Sequence, residues 1–278
     1  MRARRRLGRA AFFGGIVLAA FGLVLVARRA PRRAAGNLSR TPTGGAAQAE
    51  DVRAAVATEG GVLATAIVED ARRYDVRVWS FGLDRYELSI EDAGMTTALD
   101  AVLARTGAEL VVNGGFFDPE GKPVGLAVSG GVIISRLAKK LSGGVLTFDG
   151  TRAELFPAED FVLPDGGTFA VQCRPRLVVD GQANVKSDDG KRAERTALCV
   201  RDEGQRVDVV IVRGSDDGES PGPSLFALAQ HLAEVGCESA LNLDGGPSTG
   251  IAWRAGEEVR LVPPRGPVRH VVAFHARR

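Results

Sequence analysis

Short apolar segments of strand length dominate the hydrophobic pattern of this 278-residue chain. Alternating or continuous apolar stretches bounded by turn residues predict β-strands. Apolar residues at helical spacing predict only two helices, at residues 96–106 and 224–235. The predicted strands lie at residues 62–68, 74–79, 86–90, 110–112, 124–135, 145–148, 169–173, 177–179, 196–200, 207–212, 241–243 and 268–274.

The order of these elements indicates the fold class. Several strands are separated by turn residues rather than by helices, which argues against a repeated βαβ arrangement. Residues 51–278 contain neither an evident linker nor an internal repeat. We therefore predict an α+β fold, with one domain built around a large mixed β-sheet and a few packed helices.

An uncharged, mostly apolar run extends from Ala10 to Ala27 between two arginine clusters. As a helix this run would span roughly 27 Å, close to the hydrocarbon thickness of about 30 Å. No small-x-small cleavage site follows it, so we expect residues 1–30 to be a transmembrane anchor, with a cleaved signal sequence as the alternative. Residues 31–50 are expected to be a flexible linker. Residues 51–278 would then be a folded domain outside the cytoplasm, periplasmic or extracellular, and secreted if the segment is cleaved.

The charge of the chain is distributed unevenly. Residues 1–40 contain ten arginines and no acidic residue, which leaves 26 basic and 34 acidic side chains in residues 41–278. The folded part therefore carries a net charge of about −8. Binding to a nucleic-acid backbone needs a basic surface, so nucleic acid is excluded as an expected partner.

The three cysteines show no metal-binding spacing. Cys173, Cys199 and Cys237 form no C-x-x-C pair and lie near no histidine cluster, so a zinc site is not supported. A Cys173–Cys199 disulfide is one option for an exported domain. Cys237 is expected to be a small buried apolar side chain, and His231, on the polar side of the second helix, to be solvated.

Two glycine-rich loops follow predicted strands and carry an excess of polar groups. Residues 113–118 read Asn-Gly-Gly-Phe-Phe-Asp, and residues 242–249 read Asn-Leu-Asp-Gly-Gly-Pro-Ser-Thr. Each could be a simple hairpin turn, because Gly-Gly pairs admit positive φ. A hairpin does not need the carboxylate, amide and hydroxyls of the second loop, so a ligand site is favoured there. Arginines near such loops, at positions 174, 176 and 195, are natural partners of phosphate oxygens.

Residues 246–250 also match G-x-S-x-G, the nucleophile motif of α/β-hydrolases. That motif requires a strand, a sharp turn and then a helix. Here the chain continues as strand and loop, and too few residues follow Ser248 to complete that fold. We therefore disfavour a serine nucleophile.

A resemblance to a known family rests on a series of motifs in a specific order and spacing. These motifs are Val111–Phe117, Gly125, Ser129–Gly131, Pro175–Gly181, Glu194–Leu198, Ala240–Thr249 and Arg269. Together they resemble the phosphodiester glycosidase family over most of residues 95–275. The resemblance implies a hydrolase that cleaves a sugar 1-phosphodiester in an envelope or extracellular glycan.

On this interpretation the catalytic residues are Asp244, Asn113 and Arg195. The Asp244 carboxylate would stabilise an oxocarbenium-like state or deprotonate water, and Arg195 would neutralise the leaving phosphate. Asn113 would hold sugar hydroxyls or orient the water, as would Asn242, and two hydroxyls of the second loop would bind phosphate oxygens. The predicted substrate-binding residues are Gly114, Gly115, Arg176, Asn242, Gly245, Gly246, Ser248 and Thr249.

Two questions remain open at this level. A divalent cation held by Asp244 and an asparagine is compatible with the sequence but not required by it. The alternative function is a non-catalytic glycan-binding or exopolysaccharide-assembly protein on the same fold, since a fold does not determine a function. The expected partners are a glycan or sugar phosphate, and a membrane through the N-terminal segment.

Overall fold

Seventeen β-strands and two α-helices form the part of the chain that the structure, a computed structural model, describes: residues 63–278. The helices are α1 (Leu99–Thr106) and α2 (Leu225–Glu234). The strands are β1 Leu63–Glu69, β2 Arg72–Gly82, β3 Tyr86–Thr96, β4 Leu110–Asn113, β5 Ala127–Ser129, β6 Val132–Ser135, β7 Gly144–Phe148, β8 Ala153–Pro157, β9 Phe169–Cys173, β10 Arg176–Val179, β11 Gln182–Ala183, β12 Arg195–Arg201, β13 Arg206–Val212, β14 Ser239–Asn242, β15 Ile251–Ala255, β16 Glu258–Val262 and β17 Val268–Ala276.

The strands are arranged in three sheets. The first has the order β1-β2-β13-β12-β14-β10-β11, the second β16-β15-β4-β17-β3, and the third β6-β5-β9-β7-β8. The predicted sheet-dominated fold with few helices is confirmed. The expected single mixed sheet differs in detail, because the described strands form three sheets and all their pairings are antiparallel. Tight turns join many successive strands, and such turns favour antiparallel pairing.

The burial of each strand follows from its position. In β2 the buried side chains of Tyr74, Val76 and Val78 alternate with exposed charged ones, as expected for a half-buried strand. By contrast, β12 and β13 are buried along nearly their whole length. One face of this strand pair packs on apolar residues of α2, and the other packs on residues of the second and third sheets. The main core therefore lies where the three sheets meet.

The predicted elements agree with the structure except at turns and edges. Helix α2 begins after Ser224, whose hydroxyl accepts a hydrogen bond from the Ala227 N–H at 2.9 Å. The predicted strand 124–135 is a hairpin instead, because Gly130 and Gly131 both adopt positive φ and form a turn. Strands β8, β11 and β16 were not predicted; β11 has only two residues and β16 is mostly exposed, so neither has a clear apolar pattern.

The cysteine and histidine expectations require correction. The disulfide joins Cys199 to Cys237, while Cys173 is a buried free thiol. The pairing follows from the fold, since β12 lies beside β14 and Cys237 directly precedes that strand. His231 is half-buried and lies with its Nε2 3.0 Å from the Thr65 hydroxyl, and burial lowers its pKa to about 4.

The predicted anchor, the linker and the start of the folded domain fall in residues 1–62 and lie outside the described residues. Within residues 63–278, no helix combines the length and apolar character needed to cross a membrane.

Candidate active site

The two glycine-rich loops meet in space. Strand β4 ends at Asn113, and its side-chain Nδ2 donates a hydrogen bond to the Asp244 carbonyl oxygen at 2.6 Å. In return, the Asp244 N–H donates to the Gly114 carbonyl at 3.1 Å. The strand ends near residues 113 and 244 therefore lie side by side.

Asn113 is the buried connection between these loops. Its side chain is fully buried, and its Oδ1 accepts hydrogen bonds from the Thr196 hydroxyl at 2.7 Å and the Gly250 N–H at 3.2 Å. One amide thus holds the ends of β4 and β12 and the loop after β14. These contacts use both polar atoms of the Asn113 side chain, and its predicted contact with substrate or water stays a prediction.

A cleft of about 700 Å³ opens beside this junction. It brings together a carboxylate, several cationic side chains and apolar surface. It is lined by Phe116, Ser142, Gly143, Arg174, Pro175, Asp189, Lys191, Ala193, Arg195, Leu225, Asn242, Leu243, Asp244, Gly245 and Gly246. Of the predicted site residues, the cleft therefore includes Arg195, Asn242, Asp244, Gly245 and Gly246.

The Asp244 carboxyl group lies in a partly desolvated position. Burial raises its pKa above the ordinary aspartate value, although hydrogen bonds from the Ser248 hydroxyl and the Gly245 N–H oppose the shift. The Gly245 N–H lies 3.0 Å from the Asp244 Oδ1. A carboxylate of raised basicity, held by two donors and open to a cleft, is suited to accept a proton or to stabilise a positive charge.

Cationic side chains stand in the same cleft. Arg195 is buried, and its guanidinium donates to the backbone carbonyls of Pro223 at 3.1 Å and Lys191 at 3.2 Å. Burial lowers the pKa of Arg195, but an arginine remains charged at neutral pH. Arg174 and Lys191 are exposed, and the Lys191 ammonium forms an ion pair with Asp189 at 3.3 Å. The cleft can therefore attract an anion.

Asn242 retains a free acceptor at the cleft. Its Nδ2 donates to the carbonyls of Arg174 at 2.8 Å and Leu243 at 2.7 Å. Its Oδ1 is buried and has no hydrogen-bond partner among the described residues. A buried acceptor without a partner lowers the stability of the folded protein.

The other predicted binding residues lie outside the cleft lining. Gly115 donates its N–H to the Nε2 of buried His270 at 3.0 Å, while the Ser248 hydroxyl bonds to Asp244. Thr249 is fully buried, with its hydroxyl 3.4 Å from that of Thr196. Arg176 packs its aliphatic stem against Gly144. The substrate contacts predicted for these residues stay predictions. Gly114 contacts the site through its carbonyl, which accepts the Asp244 N–H.

Sequence reasoning missed Glu194 and His270 as supports of the site. Glu194 is buried and forms ion pairs with Arg213 at 2.7 Å and Arg265 at 3.5 Å, and burial raises its pKa despite them. Its backbone carbonyl accepts the Gly246 N–H at 2.8 Å. Burial lowers the pKa of His270 to about 4, so its neutral Nε2 can accept the Gly115 bond. The signal for Glu194 was its place beside Arg195.

Sequence reasoning also did not select Phe116, Lys191 or Asp189, all of which line the cleft. No group of three or more His, Cys, Asp or Glu side chains that could hold a metal ion occurs in the described part of the chain. The sequence is compatible with a divalent cation held by Asp244 and an asparagine. Asp244 and Asn242 both line the cleft.

Comparisons with known proteins identify the fold and the family. Two solved structures are similar: a hypothetical protein from Synechocystis, at 15% identity and a TM-score of 0.60, and the zebrafish N-acetylglucosamine-1-phosphodiester alpha-N-acetylglucosaminidase catalytic domain auto-inhibited by pro-peptide, at 18% identity and 0.59. Both alignments cover 78% of this chain; they cover 62% of the Synechocystis chain and 83% of the zebrafish chain. At these identities the likeness shows the fold alone.

The chain spans less than two thirds of the Synechocystis protein. No protein with a curated description matches the chain. The model of one family, described as phosphodiester glycosidase, matches residues 106–273, more than half of the chain and all of the cleft. The protein therefore belongs to the phosphodiester glycosidase family of hydrolases.

Proposed function

We propose that this protein is a hydrolase that cleaves the bond between a sugar anomeric carbon and a phosphodiester oxygen in an envelope or extracellular glycan. The observation that carries the proposal is the cleft, in which the Asp244 carboxylate and the cations Arg174, Lys191 and Arg195 face one space. A sugar phosphodiester presents the two matching features, an electrophilic carbon and an anion.

The Asp244 carboxylate and the cations of the cleft have different roles in the reaction. As the anomeric carbon–oxygen bond breaks, its electron pair leaves with the phosphate, and the cations neutralise that charge. The sugar becomes oxocarbenium-like, and the Asp244 carboxylate stabilises it or takes a proton from an attacking water. Water supplies the new bond to carbon. The raised pKa of Asp244 favours the role of base, because it makes the carboxylate a stronger proton acceptor.

The remaining polar groups would hold the sugar and the loops. Asn242 lines the cleft, and a local shift of its loop would let a sugar hydroxyl reach its buried, unpaired Oδ1. Asn113 and Ser248 act through Asp244, the first on its carbonyl and the second on its carboxylate. Phe116 and Leu225 supply apolar surface in the same cleft.

We further propose that the enzyme works outside the cytoplasm, tethered by its N-terminal segment. The Cys199–Cys237 disulfide supports this location, because stable disulfides are typical of oxidising compartments. The apolar run between arginine clusters supports the tether.

The test is hydrolysis of a panel of sugar 1-phosphodiesters by the full-length protein. We expect Asp244→Asn to lower kcat by roughly 10²–10⁴-fold, the usual contribution of a general base. Arg195→Ala should also abolish most turnover. The matched controls are Asp92→Asn, an exposed carboxylate, and Arg254→Ala, which loses a guanidinium bonded to a backbone carbonyl away from the cleft. Binding without turnover by any form would favour the non-catalytic glycan-binding alternative.

A further inference from the structure

Strand β6 forms an exposed apolar arm at the free edge of the third sheet. Its residues Val132, Ile133 and Ile134 are 66%, 55% and 51% exposed. Successive side chains of a strand point to opposite faces, so both faces of this arm are apolar and open. β6 pairs with β5 on one side only. Clustered apolar exposure of this kind is typical of an interaction surface.

The segment that continues this arm is basic. Arg136, Lys139 and Lys140 are all exposed, and residues 126–148 contain no acidic side chain. This stretch stands out because residues 41–278 as a whole are net acidic. Apolar side chains beside a cationic segment are complementary to a lipid surface, which has an apolar interior and can carry anionic headgroups.

We propose that the apolar arm, residues 132–134, and its basic continuation, residues 136–140, dock this domain on an anionic lipid surface. The apolar side chains enter the interfacial layer and the three cations contact lipid headgroups. The acidic residues Glu159, Asp160 and Asp165 lie on the connection from β8 to β9, which ends beside the arm, where the Gly131 N–H donates to the Thr168 carbonyl at 3.0 Å. The exposed apolar side chains at the free edge of β6, rather than this acidic connection, are the part that enters the lipid.

The docking would also orient the cleft. Lys140 is followed within three residues by Ser142 and Gly143, which line the cleft beside Asp244. The basic continuation thus runs from the apolar arm to the rim of the cleft. A lipid-bound arm would hold that rim near the membrane, whichever substrate the cleft accepts.

A fluorescent label at the arm tests the proposal in the full-length protein. Ile133→Cys would carry an environment-sensitive dye, because the native cysteines are a buried thiol and a disulfide. Val68→Cys, at a valine that is 71% exposed in β1, is the matched control. The proteins are mixed with phosphatidylcholine vesicles with or without about 30% phosphatidylglycerol, in low and high salt.

We expect the dye at position 133 to shift to the blue and to be quenched by lipid-borne quenchers only with anionic vesicles at low salt. The dye at position 68 should not respond, which separates docking of the arm from tethering by the N-terminus. Replacing Arg136, Lys139 and Lys140 by glutamine should weaken the response about a hundredfold in lipid concentration, at about fivefold for each cation.

Three results would overturn the proposal. The first is an unchanged dye at position 133, and the second is an equal response at positions 133 and 68 or in the glutamine variant. The third is a shift that depends on protein concentration without vesicles, which would mean that β6 pairs with a second copy of the chain.

Discussion

Asn113→Asp tests the hydrogen bonds that join the two loops of the site, because it replaces a buried amide by a carboxyl group of nearly the same shape. The amide Nδ2 that donates to the Asp244 carbonyl at 2.6 Å is replaced by an oxygen. If the introduced carboxyl group is charged, this oxygen stands against a carbonyl oxygen in a fully buried position. If the group is protonated, one oxygen can donate to the carbonyl while the other accepts from Thr196 and Gly250.

The variant should therefore regain stability in acid. The pKa of the introduced carboxyl group is raised in the folded state, because burial and the donor role favour the neutral form. The folded protein then binds more protons than the unfolded chain, so the free energy of unfolding falls as pH rises above the unfolded pKa near 4. Each pH unit costs at most about 1.4 kcal/mol, so the loss between pH 4 and pH 7 is bounded at about 4 kcal/mol.

Urea denaturation of the full-length protein at pH 4.5 and pH 7, followed by tryptophan fluorescence, measures this difference. Each variant is compared with wild type at the same pH, which removes the contribution of the other carboxyl groups. Asn184→Asp is the matched control, since the exposed Asn184 also donates through Nδ2 to a backbone carbonyl, at 3.0 Å. Equal destabilisation of Asn113→Asp at both pH values would refute the hydrogen-bond assignment.

Four further predictions follow from the same contacts. Cys199→Ala should lower the free energy of unfolding by about 4 kcal/mol, because its bridge closes a separation of 38 residues, and reductant should add nothing in the variant. The pH profile of kcat/KM should rise with pH through a pKa above the usual aspartate range, the one raised by burial of Asp244, and this limb should vanish in Asp244→Asn. Glu194→Gln should leave Arg213 without its buried partner charge and lower the melting temperature by several degrees in a thermal scan. Arg174→Ala should raise KM for a sugar phosphodiester more than about tenfold and Arg176→Ala less than about threefold, since only the first lines the cleft; equal effects would contradict the cleft assignment.

The strand positions could be predicted because the burial of a strand determines the pattern of apolar and polar residues along it. Alternation in β2 and continuous apolar residues in β12 and β13 reflect one covered face or two. No comparable sequence pattern indicates which strands pair with each other. Nothing in the sequence near Cys199 indicates that β14 lies beside β12. The spacing of the cysteines therefore could not predict the disulfide between Cys199 and Cys237.

The site was predictable in its loops but not in its side-chain directions. Glycine pairs after strands marked the two loops that meet, and the polar surplus marked Asp244. Which arginine of the pair 174 and 176 faces the cleft depends on the orientation of a few residues around Pro175. Likewise, Ser248 and Thr249 have the chemistry to bind phosphate, yet one bonds to Asp244 and the other is buried against Thr196.

The loops that form the cleft are held by contacts to both the first and the second sheet. Asn113 fixes the Asp244 loop to the end of β4 in the second sheet. The loop that carries Asp189 and Lys191 is held to the end of β1 in the first sheet, because Arg192 pairs with Asp70 at 2.8 Å and with Glu69 at 3.4 Å. Asp188 first, and then Asp70 and Glu69, raise the pKa of Arg192, so this ion-pair cluster stays charged. The Asp244 carboxylate and Arg195 follow from neighbouring strands of the first sheet, because β14 pairs with β12 and the Leu243 N–H donates to the Thr196 carbonyl at 2.9 Å. Their separation therefore depends on strand pairing between distant segments, which no single motif encodes.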